Sequence, residues 1–170
     1  MTVNNYRTVA AIVGMLVLGF AGTAVAAQEG RPAARALTGT WLVEVQQRIC
    51  ATQEPLGDTF YALLAFASGG TMSGTTNAPI FEPGQRTGDF GMWSYSGRRT
   101  FSAVSEAFLL ADSTSTPPGL KRGLQRIAQT ITIPDDDPNT FDSVANVAFF
   151  DTNGQLLISG CATAAGQRFE

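Results

Sequence analysis

The 170-residue sequence predicts an all-β fold in which eight antiparallel strands close into an up-and-down barrel. Turn signals recur about every dozen residues after Leu37, the segments between them alternate in hydropathy, and none has sustained helical periodicity. Because the connections are short, consecutive strands form a meander, and eight of them can close without an exposed edge. A two-sheet β-sandwich is the alternative fold, although its crossovers need longer connections.

Glycine- and proline-containing turns separate the first four strands. Trp41, Val43 and Val45 alternate with polar residues in the first segment, so one of its faces is apolar. The second segment is dense in aromatic and aliphatic residues, and Ser68-Gly69-Gly70 forms a tight hairpin into the third. The predicted strands are residues 40–50, 58–67, 71–76 and 89–95.

The last four strands follow the same logic. Phe101, Ala103 and Ala107 share one face of the fifth segment, and the β-branched end of the sixth favours a strand over a helix. Asn153-Gly154 is a strong hairpin signal between the seventh and eighth segments. The predicted strands are residues 99–112, 120–133, 140–151 and 155–169.

The N-terminal segment has the features of an export signal. A short polar start with Arg7 precedes an apolar stretch at 9–20 and small residues that end at Ala26 and Ala27. We predict a signal peptide at 1–27, cleaved after either alanine, with an uncleaved anchor as the alternative. Residues 28–36 are the predicted linker and 37–170 a single barrel domain, secreted or periplasmic, with no membrane span after cleavage.

Composition excludes several function classes. The absence of histidine excludes Ser–His–Asp and Cys–His catalysis and every histidine-ligated metal site. The acidic run 135–137 lacks the glycine and glutamate of a calcium loop, so no metal and no cofactor is predicted. Eleven Lys and Arg against fourteen Asp and Glu, without a basic stripe, argue against nucleic acid as a partner. The oligomeric state stays open.

The two cysteines give a test of closure. If the first and last strands are neighbours, aligning Cys50 with Cys161 sets small residues of the last strand opposite the apolar face of the first. An intramolecular disulfide would then stabilise the fold by about 4–5 kcal/mol in the chain-entropy picture. Free thiols and an intermolecular bridge are the alternatives. The alignment pairs Ile49 with Ala162, Val45 with Gly166, Val43 with Arg168 and Trp41 with Glu170.

The chain resembles the lipocalins and the wider calycins, because Gly39-Thr40-Trp41 opens the first strand with their G-x-W pattern. In that family an arginine near the end of the last strand packs over the tryptophan. The resemblance gives these structural roles to Arg168 and Trp41, one pair apart in the alignment above. The chain is also similar to small secreted bacterial lipocalin-like proteins. That similarity rests on the segments TGTW at 38–41, ASGGTM at 67–72, GMW at 91–93, FDTNG at 150–154 and GCAT at 160–163.

The inward faces mix bulky and small side chains, as an apolar pocket requires. Eight-stranded barrels either hold one small ligand or are filled by their own side chains, and both outcomes stay open. The small inward residues are Ala62, Ala103, Ala107, Ala145, Ala162, Ala164 and Gly166. The bulky ligand-lining candidates are Phe60, Leu64, Phe66, Phe101, Phe141 and Phe149.

Three polar positions interrupt the apolar faces: Gln47, Ser105 and Ser143. They either orient a ligand's hydroxyl or carbonyl group or hydrogen-bond to one another or to buried water. The loops at 77–88 and 113–119 either form the mouth of the barrel or are plain connections.

We therefore expect non-covalent binding of a small hydrophobic molecule, with no catalytic residue assigned. The alternative is a cofactor-free cyclisation or isomerisation steered by pocket shape, since allene oxide cyclases are similar in architecture. That alternative predicts a carboxylate or tyrosine in the lumen, and Glu106 and Tyr61 are its first candidates. A filled barrel that acts through its surface is the third interpretation.

Overall fold

A computed structural model gives the fold and describes residues 35–110 and 121–169. The predicted signal peptide at 1–27, residues 28–34 of the predicted linker and the predicted loop at 113–119 lie outside the described residues.

Eight antiparallel strands form a closed barrel in chain order, and the last strand is hydrogen-bonded to the first. This topology confirms the predicted up-and-down barrel and excludes the sandwich. Alternate side chains of every strand face the lumen, because successive residues point to opposite sides of a strand. The strands are β1 (Gly39–Arg48), β2 (Phe60–Phe66), β3 (Thr71–Thr76), β4 (Asp89–Gly97), β5 (Thr100–Leu110), β6 (Lys121–Thr132), β7 (Thr140–Phe150) and β8 (Leu156–Arg168).

The predicted strand limits that fall on described residues lie within two residues of the observed ones, and those of β3 coincide with them. The predicted end of the fifth strand at 112 and start of the sixth at 120 lie outside the described residues. The first strand was predicted to reach Cys50 but ends at Arg48, because the chain turns there. The turn is closed by a hydrogen bond of 2.7 Å from the Gln53 amide to the Ile49 carbonyl, and Gln53 takes a φ of 62°.

The predicted alignment of β1 with β8 is wrong by two residues. Trp41 lies opposite Arg168, and Val43 lies opposite Gly166. The cysteines are not a facing pair, since Cys161 lies opposite Arg48 and Cys50 follows the end of β1. Because the shift is an even number of residues, the predicted inward faces are unchanged. Glu170, the predicted partner of Trp41, lies outside the described residues.

The predicted disulfide between Cys50 and Cys161 is confirmed. It joins residues 111 apart in sequence, with the two Cα atoms 5.2 Å apart, and leaves neither cysteine free. It fastens β8 to the turn after β1 at the end of the barrel where β1 ends and β8 begins. We call this end the open end, and the opposite end the closed end.

Aromatic side chains fill the closed end. Trp41, Phe66, Phe101 and Phe141 are at most 2% exposed, and the ring centroids of Trp41 and Phe141 are 4.9 Å apart. Leu37, which precedes β1, is fully buried against the same cluster. This half of the barrel is therefore a packed hydrophobic core.

Arg168 holds the closed end together. Its Cζ lies 4.2 Å from the centroid of the Trp41 ring, directly across from it and not one pair away as predicted. Its guanidinium donates hydrogen bonds of 2.6 Å to the carbonyls of Thr38 and Ala36. Gly39 has a φ of 134°, and an added Cβ would lie 2.5 Å from Arg168 Nη1. The positive φ favours glycine at this position of the G-x-W pattern, and a side chain there would also displace the Arg168 guanidinium.

Candidate binding site in the barrel lumen

The open half of the lumen contains a cavity of about 290 Å³. This volume lies at the lower limit of pockets that hold small molecules. Its walls come mainly from β1, β2, β6, β7 and β8, together with the loop between β3 and β4. The apolar lining residues are Val43, Val45, Leu56, Phe60, Ala62, Leu64, Ala78, Ile80, Phe81, Ile127, Ala145, Val147, Phe149, Ile158, Ala162 and Ala164.

The structure brings together part of the predicted lining set. Predicted residues that line the cavity are Phe60, Leu64, Phe149, Gln47 and Ser105. The predicted residues Phe66, Phe101 and Phe141 lie in the closed-end core instead. Alternation identifies which side chains face inward, but it carries no information on their depth along the barrel axis.

Small side chains create the space. The predicted small residues that line the cavity are Ala62, Ala145, Ala162 and Ala164. Gly166 has another role, because a Cβ there would lie 2.3 Å from Cε1 of Phe141. This glycine makes room for the Phe141 ring in the closed-end core. Ala103 and Ala107 are buried without lining the cavity.

The loop at 77–88 lies at the mouth of the barrel, one of the two outcomes expected for it. Ile80 and Phe81 line the cavity, and the Phe81 ring lies 6.4 Å from that of Phe149. The end of the loop is anchored on β5. There the Leu110 amide donates to the Gln85 carbonyl at 2.6 Å.

A β-bulge turns Arg86 into the lumen. Phe90 lies opposite Glu106 in the β4–β5 pairing, so an unbroken ladder would place Arg86 opposite Leu110 and on the outer face. Arg86 instead bridges to Leu109, which leaves one extra residue on the β4 side. An added residue reverses the face that the preceding side chains occupy.

Arg86 forms a buried ion pair inside the barrel. Its Nη2 contacts Asp89 Oδ1, and the two side chains are only 5% and 6% exposed. Its Nε donates to Gln125 Oε1 at 2.5 Å, and its Nη1 donates to the Thr87 carbonyl at 3.0 Å. The Phe81 ring, 5.7 Å from Arg86 Cζ, covers the guanidinium. All three nitrogens of the guanidinium therefore have partners.

Burial dominates the electrostatics of Asp89. Loss of hydration raises the pKa of this carboxyl above its usual value, and the charge of Arg86 together with its hydrogen bond only partly offsets the rise. The lumen is thus an environment that disfavours charge.

Ser143 lines the cavity with a buried hydroxyl oxygen that is hardly accessible from it. The residue is 5% exposed and lines the cavity, and within the described part of the chain its Oγ has no hydrogen-bond partner. Its position on β7 follows Phe141 and precedes Ala145 on the inward face, as the alternation predicted. A buried hydroxyl without a partner costs about 1–3 kcal/mol.

Sequence reasoning missed several polar lining residues, among them Arg86, Asp89 and Gln125. Asp89 and Gln125 share the inward alternation of Trp93 and Ile127, a signal that was available in the sequence. The inward position of Arg86 had no such signal, because a bulge inside a loop leaves no mark in the hydropathy pattern.

The two side chains first considered for proton transfer lie outside the lumen. Tyr61 is 48% exposed, and the Oε1 of Glu106 accepts a hydrogen bond of 2.7 Å from Arg126 Nε on the outer face. The ionisable residue that does line the lumen next to Arg86 is Asp89.

A second depression, of about 600 Å³, lies on the outside of β6, β7, β8 and β1. Its lining includes Glu44, Thr130, Asp142 and Ala165, whose side chains point outward. This depression is shallower and more open than the lumen, so we regard the lumen as the candidate site.

Comparison with protein-family models, with curated proteins and with solved structures finds no match to this chain. Across residues 35–110 and 121–169, no helix is long and apolar enough to cross a membrane. Within the same residues, no three Asp, Glu or Cys side chains converge on a point where a metal ion could be held.

Proposed function

We propose that this protein binds a small, mainly apolar molecule non-covalently in the open half of its lumen. The observation that carries the proposal is the cavity of about 290 Å³, which is walled by aliphatic and aromatic side chains. A cavity of this volume argues against the alternative that the barrel is filled by its own side chains. Burial of apolar ligand surface would contribute about 25 cal/mol per Å² before the costs of association.

We also propose that the barrel is lipocalin-like and works outside the cytoplasm. Arg168 lies over the ring of Trp41, which supports the role that the G-x-W resemblance implied for this pair. The Cys50–Cys161 disulfide supports an oxidising compartment, either secreted or periplasmic.

The binding proposal is tested with a variant that fills the cavity. Ala145 lines the lumen, so Ala145→Phe should occupy much of the space and weaken the binding of a neutral lipophilic dye at least tenfold. Native mass spectrometry of the purified protein should show a bound small molecule, and a panel of hydrophobic compounds should displace the dye.

Ala165→Phe is the matched control, because Ala165 is exposed on the outer face of β8. It should leave dye affinity unchanged. The proposal is wrong if the dye and the panel do not bind at all, or if Ala165→Phe weakens binding as much as Ala145→Phe.

A cofactor-free isomerase is the second candidate, and Asp89 is the observation that favours it. A buried carboxyl with a raised pKa can exchange a proton with a molecule held in the lumen. Compounds that displace the dye would be incubated with the protein and separated by chromatography. Isomers formed by the native protein and not by Asp89→Asn would support catalysis, and no conversion would reject it for those compounds.

A further inference from the structure

Four inward residues form one row across the cavity wall. Gln129 on β6 lies opposite Ala145 on β7. Ala145 in turn lies opposite Ala162 on β8, and Ala162 lies opposite Gln47 on β1. All four residues line the cavity. The row therefore carries an amide at each end and only methyl groups between the two amides.

The row runs from the bottom of the cavity to its mouth. Gln129 is the inward neighbour of Ile131 on β6, and Ile131 is fully buried in the closed-end core. Gln47 is the last inward residue of β1, and its carbonyl accepts a hydrogen bond of 2.9 Å from the amide of Leu56, which is 52% exposed. Three strand spacings of about 4.8 Å separate the two glutamines, so their backbones lie about 14 Å apart along the wall.

The side-chain amides of Gln47 and Gln129 are unpartnered and accessible. Among the described residues neither amide forms a hydrogen bond, and neither residue is fully buried. The sealed side-chain atoms that lack a partner belong to other residues, Ser143 among them. A molecule in the lumen can therefore reach both amides, and each amide can donate as well as accept a hydrogen bond.

We propose that the lumen binds an unbranched molecule with an uncharged hydrogen-bonding group at each end, one held by Gln129 at the bottom of the cavity and the other by Gln47 at its mouth. This inference rests on the proposed binding function and names the chemical class of the ligand.

The row sets the polarity of the ligand along its length. Ala145 and Ala162 offer only apolar surface, so hydrophobic burial stabilises the middle of the ligand. A hydrocarbon end placed against Gln129 displaces water from the amide and gives no hydrogen bond in return, which is unfavourable. A hydroxyl or carbonyl group in that place restores the bond. The same holds to a smaller extent at Gln47, which lies nearer to water.

The span between the amides sets the shape of the ligand. The two glutamine backbones are about 14 Å apart, whereas the volume of the cavity is only about 290 Å³. A compact ring system of that volume reaches one amide and not both, but an extended chain reaches both. The ligand is therefore chain-like.

The probes are three series of unbranched compounds, namely alkanes, primary alkanols and α,ω-alkanediols, with skeletons from hexane to dodecane. Affinities are measured at pH 7 by displacement of the neutral lipophilic dye. Because hydrophobic burial grows with length in every series, the ratio of diol affinity to alkanol affinity isolates the second hydroxyl. We expect this ratio to pass through a maximum of about three- to tenfold at the length that joins the two amides, a factor that corresponds to one hydrogen bond.

Gln129→Leu and Gln47→Leu identify the groups responsible, because leucine keeps much of the side-chain volume and removes the amide. Each variant should weaken the best diol about three- to tenfold, with the larger effect at Gln129, and leave alkane binding unchanged or tighter. The melting temperature of the ligand-free protein should not fall, because neither amide has a partner to lose. Gln167→Leu is the matched control, since Gln167 is exposed on the outer face of β8, and it should change none of these values.

The outcomes separate the two proposals. If the ratio of diol to alkanol affinity does not vary with chain length, or if only one of the two glutamine variants weakens the diols, two-ended recognition is wrong although lumen binding stands. The same conclusion follows if either variant weakens alkanes and diols equally, or if Gln167→Leu has the same effect. If neither the dye nor any of the compounds binds, while the native protein melts cooperatively, the binding function itself is wrong.

Discussion

The two ends of the barrel are built from the same strands by opposite means. At the closed end Trp41, Phe101 and Phe141 fill the lumen, and Arg168 clamps the first and last strands through backbone carbonyls. At the open end small residues leave a cavity. There the Cys50–Cys161 disulfide joins the turn after β1 to β8. The packed aromatic core thus lies at one end of the barrel and the cavity at the other.

The difference lies in side-chain size along single strands. The inward residues of β7 run from Phe141 through Ser143 to Ala145, from the aromatic core to the polar and small lining of the cavity. The same closed sheet of eight hydrogen-bonded strands forms the wall of both halves. Hydrophobic burial at the closed end offsets the cost of the empty volume and the buried ion pair at the open end.

The largest expected effect comes from cutting the disulfide. Replacing Cys50 and Cys161 with alanine should lower the free energy of unfolding by about 4–5 kcal/mol, because the bond closes a long loop. Urea unfolding of the native and double-variant proteins measures the loss. A loss below about 1 kcal/mol would show that backbone pairing of β1 with β8 closes the open end without the covalent link.

Matched truncations of two phenylalanines compare the ends directly. Phe101→Ala, at a fully buried closed-end position, should cost about 3–5 kcal/mol of stability and leave dye affinity unchanged. Phe60→Ala, at a half-buried position in the cavity wall, should lower the free energy of unfolding by only about 1–2 kcal/mol. It should also weaken the binding of the dye. Equal costs, or a binding defect in Phe101→Ala alone, would contradict the division between the two ends.

Removal of the clamp at the closed end should have a smaller effect. Arg168→Met keeps an aliphatic side chain but loses the cation over Trp41 and the charge-assisted hydrogen bonds to the carbonyls of Ala36 and Thr38. The free energy of unfolding should fall by about 2–3 kcal/mol in total. Arg168→Lys keeps the charge but not the forked geometry, so it should lie between the native protein and Arg168→Met. If Arg168→Lys unfolds at the same urea concentration as the native protein, the forked geometry of the arginine does not contribute to stability.

The smallest effect is a dependence on pH at the open end. Because burial raises the pKa of Asp89 in the folded state, the contribution of this carboxyl to stability is fully present below its usual pKa and is lost as the pH rises through the raised pKa. The stability of the native protein relative to Asp89→Asn should therefore increase as the pH is lowered from 7 to 3.

Asp151 provides a control of opposite sign. This exposed carboxylate in the β7–β8 turn accepts hydrogen bonds of 2.8 Å from the amides of Gln155 and Asn153. The bond from Gln155 is the main cause of its lowered pKa. Its contribution is present above its usual pKa and is lost as the pH falls. The stability of the native protein relative to Asp151→Asn should decrease over the same pH range, and the same sign for both carboxyls would contradict the assignment.

Strands and faces were predictable because the signals for them are local. Alternation and turn residues predicted both ends of β3 correctly. The inward face of β1 was also predicted correctly, although its alignment with β8 was wrong by two residues. The alignment failed because it assumed that the cysteines face each other within the ladder, whereas Cys50 lies in a turn. Long-range pairing depends on where strands end, which neighbouring residues determine only approximately.

The site was predictable only in part, for reasons of depth and irregularity. Phe66 and Phe149 look alike in sequence, yet one is in the core and the other lines the cavity. Depth follows from strand tilt and stagger, which are properties of the closed barrel. Arg86 enters the lumen only because a bulge shifts the ladder by one residue.

The arginine clamp also fixes the direction from which the polypeptide reaches and leaves the barrel. Arg168 binds Ala36 and Thr38, and the Phe169 amide donates to the Thr40 carbonyl at 2.9 Å, so residues 35–38 and 169 emerge side by side at the pole remote from the cavity. A surface linker, a reporter or a carrier domain fused beyond either point would be attached at the closed end. Immobilised in that way, the protein would keep its entrance free for capture assays.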